Sequence, residues 1–259
     1  MTMAPSRTAL SVMATLAESP APEGHLSSDS RPWRRSRHAL ALASAGTRSY
    51  AAPEPGWNLA GLQGRLVELC DGAGAATLTL AMGLVRDTQR QGDSAAWVGD
   101  RASCFFPPDA TAGGVDLETL AVVRVPERGA VPRAAAMLAQ SGAFGLVVLD
   151  LGGGSGDGVD VPMPLQSRLL GLAQKHAAAI VFLTGRHQAR ARPGSLGSLI
   201  SLRATSEVRR PPAADHRGGA WGPCEGPKFF VITLRAVKDK RRAPGWIHEE
   251  VCRAPPGLR

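Results

Sequence analysis

RLVELCDGAGAATLTLAMGLVRDTQR, residues 65–90, changes character twice along its length. Arg65–Cys70 is a short β-type run, Asp71–Ala76 is a glycine-rich turn, and in Thr77–Arg90 apolar residues recur at helical spacing. A strand, a tight turn and a helix in that order is the opening of a parallel βαβ unit.

The pattern repeats downstream. Ala95–Val98 and Leu120–Val125 are strand candidates, and Pro132–Ser141 (PRAAAMLAQS) predicts a helix with proline in its first turn, where a missing N–H costs little. Leu146–Asp150 (LVVLD) is an unbroken apolar run ending in a carboxylate, as expected of a strand buried on both faces. Leu165–His176 predicts another helix and Ala178–Leu183 another buried strand. After Gly185 the texture alternates: Leu196–Thr205 and Phe229–Val237 (FFVITLRAV) predict antiparallel strands, separated by a Pro/Gly/Arg-rich loop, Arg209–Pro227, and followed by the basic turn Lys238–Arg242 (KDKRR). The expected fold class is therefore α/β, with a mostly parallel central sheet flanked by helices and antiparallel strands toward the C-terminus. The expected organisation is a flexible basic N-terminal arm over 1–56 with at most one short helix, a core over 57–245, and a C-terminal tail over 246–259.

Composition bounds the function. With 259 residues and 44% hydrophobic content, wholesale disorder is excluded, and 30 glycines with 20 prolines predict ample irregular chain. Cys70, Cys104, Cys224 and Cys252 form no CxxC pair, which argues against a zinc module or disulfide scaffold and fits a reducing cytoplasm. No apolar run reaches the ~18–20 residues of a membrane span. The Arg- and Ser-rich start superficially resembles an organellar transit peptide, but its four acidic residues count against that. The net charge of +8 is uneven: +2 over residues 1–56, −3 over 57–185 and +9 over 186–259. Basic ends around a slightly acidic middle attract phosphate backbones or an acidic protein patch; a merely solvated arginine-rich surface is the plain alternative.

The chemistry is notable for what it lacks. The turn after the first strand places Gly72 and Gly74 before Thr77, the geometry in which backbone N–H groups and a helix start cradle phosphate. Yet GxxxxGK[ST] is missing, no lysine lies between Arg65 and Arg86, and GxGxxT lacks the third glycine of a dinucleotide fingerprint. Asp150 ends its strand where a magnesium-coordinating Asp of a P-loop ATPase would sit; the alternative is a strand-end carboxylate bonded to neighbouring backbone. The histidines show no ligand spacing, Gly153–Asp157 (GGSGD) is no nucleophile elbow, and Cys70 reads as a small core residue. No catalytic residue, metal ligand or cofactor is expected.

In order and spacing, residues from about Leu59 to Gly245 resemble the RecA recombinase core. Leu62–Leu69 (LQGRLVEL) is similar to the strand leading into that family's P-loop, and Thr77–Leu80 (TLTL) to the helix after it. Gly114–Leu120 (GVDLETL) and Ser141–Asp150 (SGAFGLVVLD) are similar to the segment before and including its Walker B strand, and Leu234–Gly245 (LRAVKDKRRAPG) to its lysine-bearing turn. The degenerate P-loop, Gly99-Asp100-Arg101-Ala102 where RecA carries its catalytic glutamate, and Phe105–Ala110 (FFPPDA) resemble the ImuA family of translesion-synthesis accessory proteins.

That resemblance implies a non-catalytic RecA-like adaptor, a pseudo-ATPase, in SOS-induced DNA repair. Its implied partners are an ImuB-type Y-family polymerase homologue, RecA itself and the error-prone polymerase, in the bacterial cytoplasm with activity at the nucleoid. It also implies that Lys238 and Lys240 match RecA lysines that reach ATP across a subunit interface. In a chain without a P-loop, those lysines with Arg241 and Arg242, and Arg34, Arg35 and Arg37 in the arm, become contacts to a partner or DNA; an exposed basic turn is the alternative. Two other readings stand beside the adaptor. One is a module binding single-stranded DNA weakly through the basic C-terminal region, where Trp221, Phe229, Phe230 and Trp246 are the candidate stacking residues. The other is a RecA paralogue that binds ATP through Gly72, Gly74, Thr77 and Asp150 without hydrolysing it. Gln166–Leu170 (QSRLL) is faintly similar to a sliding-clamp peptide, but in a core helix Leu169 and Leu170 are packing residues.

Overall fold

The computed structural model describes residues 56–71, 76–152, 161–185, 196–209 and 229–253. The expected arm, except for its last residue, and most of the loop Arg209–Pro227 lie outside them. The chain enters through a single helical turn, α1 (Leu59–Leu62), capped by Asn58, whose side chain accepts from Gly61 N. Then follow β1 (Arg65–Asp71), α2 (Thr77–Arg90), β2 (Ser94–Gly99), the short α3 (Pro107–Ala112), β3 (Leu120–Arg124), α4 (Val131–Ser141), β4 (Phe144–Asp150), α5 (Met163–His176), β5 (Ala179–Thr184), β6 (Leu202–Arg209), β7 (Phe229–Asp239) and β8 (Ile247–Arg253).

All eight strands form one sheet in the order β3-β2-β4-β5-β1-β6-β7-β8. The pairings from β3 through β6 are parallel, whereas β7 runs antiparallel to both β6 and β8. The α/β class, the mostly parallel sheet and the antiparallel C-terminal strands are as expected from the sequence.

The sheet separates two apolar layers. On one face, Leu80, Ala81, Leu84 and Val85 of α2 pack over Val67, Leu69, Trp97, Val148 and Val181, joined by Trp57 and by Ile232 and Leu234 of β7. On the other, Val131, Ala135 and Ala139 of α4 and Leu169 and Ala173 of α5 cover Leu66, Val98, Val147, Leu149 and Phe182. β4 and β5 lie at the centre of the parallel set with helices on both sides, so their unbroken apolar runs are fully used. Leu169 is completely buried, which makes QSRLL part of the core packing. Gly142 ends α4 at a φ of 68°, and a Cβ there would stand 2.6 Å from His176 Nδ1, so both backbone and packing require glycine.

Two elements depart from the sequence reading. Leu196–Thr205 is not one antiparallel strand: β6 starts only at Leu202 and runs parallel to β1, with its antiparallel partner β7 on the other side. Its alternation comes from one-sided burial, since Leu202 and Ala204 enter the core while Thr205 and Glu207 are only partly covered. Residues 196–201 instead cross the other face, burying Leu196 and Ile200. Half of the stretch assigned to the tail over 246–259 is strand β8, which closes that edge of the sheet. Its composition, IHEEVCR, conceals it: an edge strand buries little, and charge along it discourages pairing with other chains.

Candidate functional site

In an open parallel sheet, ligands bind beyond the carboxyl ends of the strands. Here that edge carries Asp150 at the end of β4, Gly99 beside it on β2, and Thr77, which begins α2 after β1. β5 lies between the strands that lead to Asp150 and Thr77. Gly72 and Gly74 fall outside the described residues.

Asp150 is buried, and its carboxylate is already engaged. Ser103 Oγ donates to Asp150 Oδ2 at 2.6 Å, and Gly152 N donates to Oδ1 at 3.3 Å. Gly99 permits this closure, because a Cβ on it would come within 2.6 Å of Ser103 Cβ and Oγ. The neighbouring carboxylate, Asp100, is held by the Arg128 guanidinium at 3.1 Å and by Ala102 N at 2.9 Å. Each acid thus has a partner within the chain, and among the described residues no group of three or more potential metal ligands occurs. Asp150 is spent on a hydroxyl, Asp100 on an arginine, and the lysine that would meet the phosphates is missing from the sequence.

Beneath that edge lies a buried polar cluster that the sequence reading overlooked. Glu68 on β1 and Arg203 on β6 pair with Nε to Oε2 at 2.6 Å, their side chains 2% and 9% exposed. Thr184 Oγ1 lies 3.2 Å from Cys70 Sγ and 3.5 Å from Glu68 Oε1. Burial, with the nearby Glu68 charge adding to it, pushes the Cys70 thiol up to about 12, so the thiol stays protonated and non-nucleophilic at neutral pH.

The basic turn lies elsewhere. Lys238 and Asp239 are the last residues of β7, beside Arg203 and Leu202 of β6. Four strand spacings, about 19 Å, separate β7 from Asp150 on β4. Within one chain these cations therefore do not serve that edge. What they do have is bracing. Asp239 accepts from Arg65 in a buried ion pair, from Arg241 N at 2.9 Å and from Trp246 Nε1 at 3.0 Å. Arg65 also donates from Nε to Ser201 Oγ at 2.9 Å. Burial opposes ionisation of Asp239, but these donors outweigh it and hold the carboxyl below its ordinary range.

Around that knot, Arg241 Nη2 donates to Gln63 O at 3.0 Å, and the Arg242 guanidinium carbon lies 5.2 Å from the centroid of the Trp246 ring. Lys238 and Lys240 both reach the Ser198 carbonyl, at 3.5 and 2.6 Å. Partial burial, then the charges of Lys240 and Arg203, lower the proton affinity of Lys238. The structure thus brings Lys238, Lys240, Arg241 and Arg242 together on one surface, while Arg34, Arg35, Arg37 and Trp221 lie outside the described residues.

Ser103, Arg128, Glu68, Arg203 and Arg65 escaped sequence reasoning because nothing local marks them. The signal within reach was a charged residue inside an apolar strand, as at Glu68 in RLVELC, which demands a buried partner. No protein-family model matches the chain, and no curated protein matches it.

Proposed function

We propose that the chain is a non-catalytic, RecA-like adaptor in SOS-induced translesion synthesis, docking on an ImuB-type polymerase homologue and on RecA. The observation that carries this reading is the closed state of the strand-end acids. The carboxylate at the end of β4 is engaged by the Ser103 hydroxyl. The sequence supplies no lysine between Arg65 and Arg86. The ImuA-like segments quoted above supply the identity of the partners. Among the described residues no helix is long and apolar enough to cross a membrane.

Co-elution in size-exclusion chromatography tests the proposal: the purified chain is mixed with the ImuB-type protein and, separately, with RecA. A shared peak with either supports docking, and separate peaks in both mixtures reject it. An ATPase assay with and without single-stranded DNA is expected to stay at the no-protein rate. Hydrolysis that disappears in Asp150→Asn overturns the pseudo-ATPase reading.

A further inference from the structure

The two lysines on one carbonyl oxygen are the least explained feature of the surface. Both ammonium groups reach Ser198 O, so they stand within about 6 Å of each other. Like charges that close repel, and a single neutral carbonyl compensates them poorly. Among the described residues, no carboxylate forms an ion pair with either. The only acid within the KDKRR turn, Asp239, is consumed by Arg65. Glu68, the nearest acid beneath, is paired with Arg203. Arg203 and Lys238 are register partners on adjacent strands, so a third, buried cation backs the pair.

The arrangement is also held in place. Lys240 N donates to Ser201 O at 2.8 Å, Gly245 N to Ala236 O at 2.7 Å, and the Asp239 knot ties the turn to β1. Uncompensated charge on a braced turn is preorganised for an anion, because little chain entropy is lost on binding.

We propose that Lys238 and Lys240 form a phosphate clamp for the backbone of single-stranded nucleic acid, with Arg241 and Arg242 flanking it. The choice of phosphate over protein carboxylate follows from the donors. A carboxylate is matched by a guanidinium fork, whereas the convergent groups here are ammoniums, compact point charges that suit phosphate oxygens. The Arg241 fork already serves Gln63 O. Trp246, half-buried beside the turn, anchors it by donating to Asp239 and by carrying Arg242 over its ring. The proposal does not depend on the adaptor reading.

Fluorescence anisotropy of a labelled 20-nucleotide oligo-dT against the full chain, from 50 to 200 mM salt, tests it. Lys238→Gln with Lys240→Gln keeps donors for Ser198 O but removes both charges. The double variant is expected to bind about tenfold more weakly, with a log–log salt slope shallower by about 1.4, since each single-strand phosphate contact contributes about 0.7. Arg133→Gln, which removes an exposed cation on α4, is expected to leave both values unchanged. Thermal melts identify any variant that fails to fold, in which case Lys240→Gln alone is used, with half the change in slope. The proposal is overturned by wild-type protein that does not saturate at 50 mM salt, or by a double variant with wild-type affinity and slope. It is equally overturned if polyglutamate displaces the oligonucleotide as well as unlabelled oligo-dT does per unit charge.

Discussion

Glu68 and Arg203 sit directly opposite each other on β1 and β6, and Arg203 Nε donates to Glu68 Oε2 at 2.6 Å inside the sheet. The pair joins the parallel β1 to the strand from which the antiparallel segment hangs. Its cost is desolvation of two charges, and Arg203 Nη2 lacks a hydrogen-bond partner among the described residues.

Breaking the pair on one side is therefore expected to be worse than removing it. Arg203→Ala strands a buried carboxylate and should lower unfolding free energy by about 3–5 kcal/mol. The double substitution Glu68→Met with Arg203→Met should recover most of that loss. Urea unfolding of the three proteins checks this; a double variant no more stable than Arg203→Ala contradicts it.

Ser103 and Gly99 form the second test. Ser103→Ala removes a hydrogen bond to a buried carboxylate and should cost about 1.5–3 kcal/mol. Gly99→Ala forces Ser103 away from Asp150 and should cost at least as much, since backbone as well as side chain must shift. In Ser103→Ala the effect of Gly99→Ala should shrink by the share of the Ser103–Asp150 hydrogen bond, which is already gone, while the clash with Cβ of residue 103 remains. Thermal melts of the double-mutant cycle measure the coupling, and strict additivity argues against the closure described for Asp150.

Thiol chemistry separates the cysteines. Cys104 is exposed, whereas Cys70 is buried and held protonated to about pH 12. At pH 8 a maleimide should label Cys104 within minutes and Cys70 only after unfolding, as read by peptide mass spectrometry. The folded thiol has the raised value and the unfolded one the ordinary value, near 9. Its contribution to stability is thus complete below pH 9 and is lost as pH rises from there toward 12. Cys70→Ala should flatten the alkaline decline in melting temperature over that window.

How much of this was legible beforehand depends on whether a residue's partner is near in sequence. The runs RLVELC and LVVLD and the helix over Leu165–His176 declare themselves through period and apolar content, since the faces they bury are mostly apolar. β8 did not, because an edge strand has a single neighbour and IHEEVCR buries too little to show a period. The antiparallel pairing of β6 with β7 was as expected but its parallel pairing with β1 was not, because alternation reports which face is covered and not the direction of each neighbour. At the candidate site, Asp150 was found from its place at a strand end. Ser103 was not, for its bond to Asp150 spans 47 residues and depends on a missing Cβ at Gly99. The basic turn was visible as KDKRR, but its bracing by Arg65 crosses 174 residues and exists only once β1 and β7 share a sheet.

That bracing gives the last prediction. Asp239 ordinarily titrates near 3.8, and its donors from Arg241, Trp246 and Arg65 hold it lower in the folded chain. A folded value below the unfolded one means that the stabilisation is present above about pH 4 and disappears as pH falls through the lower, folded value. Asp239→Asn should therefore lower the urea midpoint at pH 7 and flatten its decline between pH 5 and 2. It should also loosen the turn, since Arg65 loses its counterion, Trp246 Nε1 keeps only a neutral acceptor, and the Lys238–Lys240 pair loses its rigid base. Hydrogen exchange at Lys240 N and Gly245 N should then quicken in Asp239→Asn while exchange in β4 stays slow. Equal acceleration in both places would mean that Asp239 supports the whole sheet and has no particular hold on the turn.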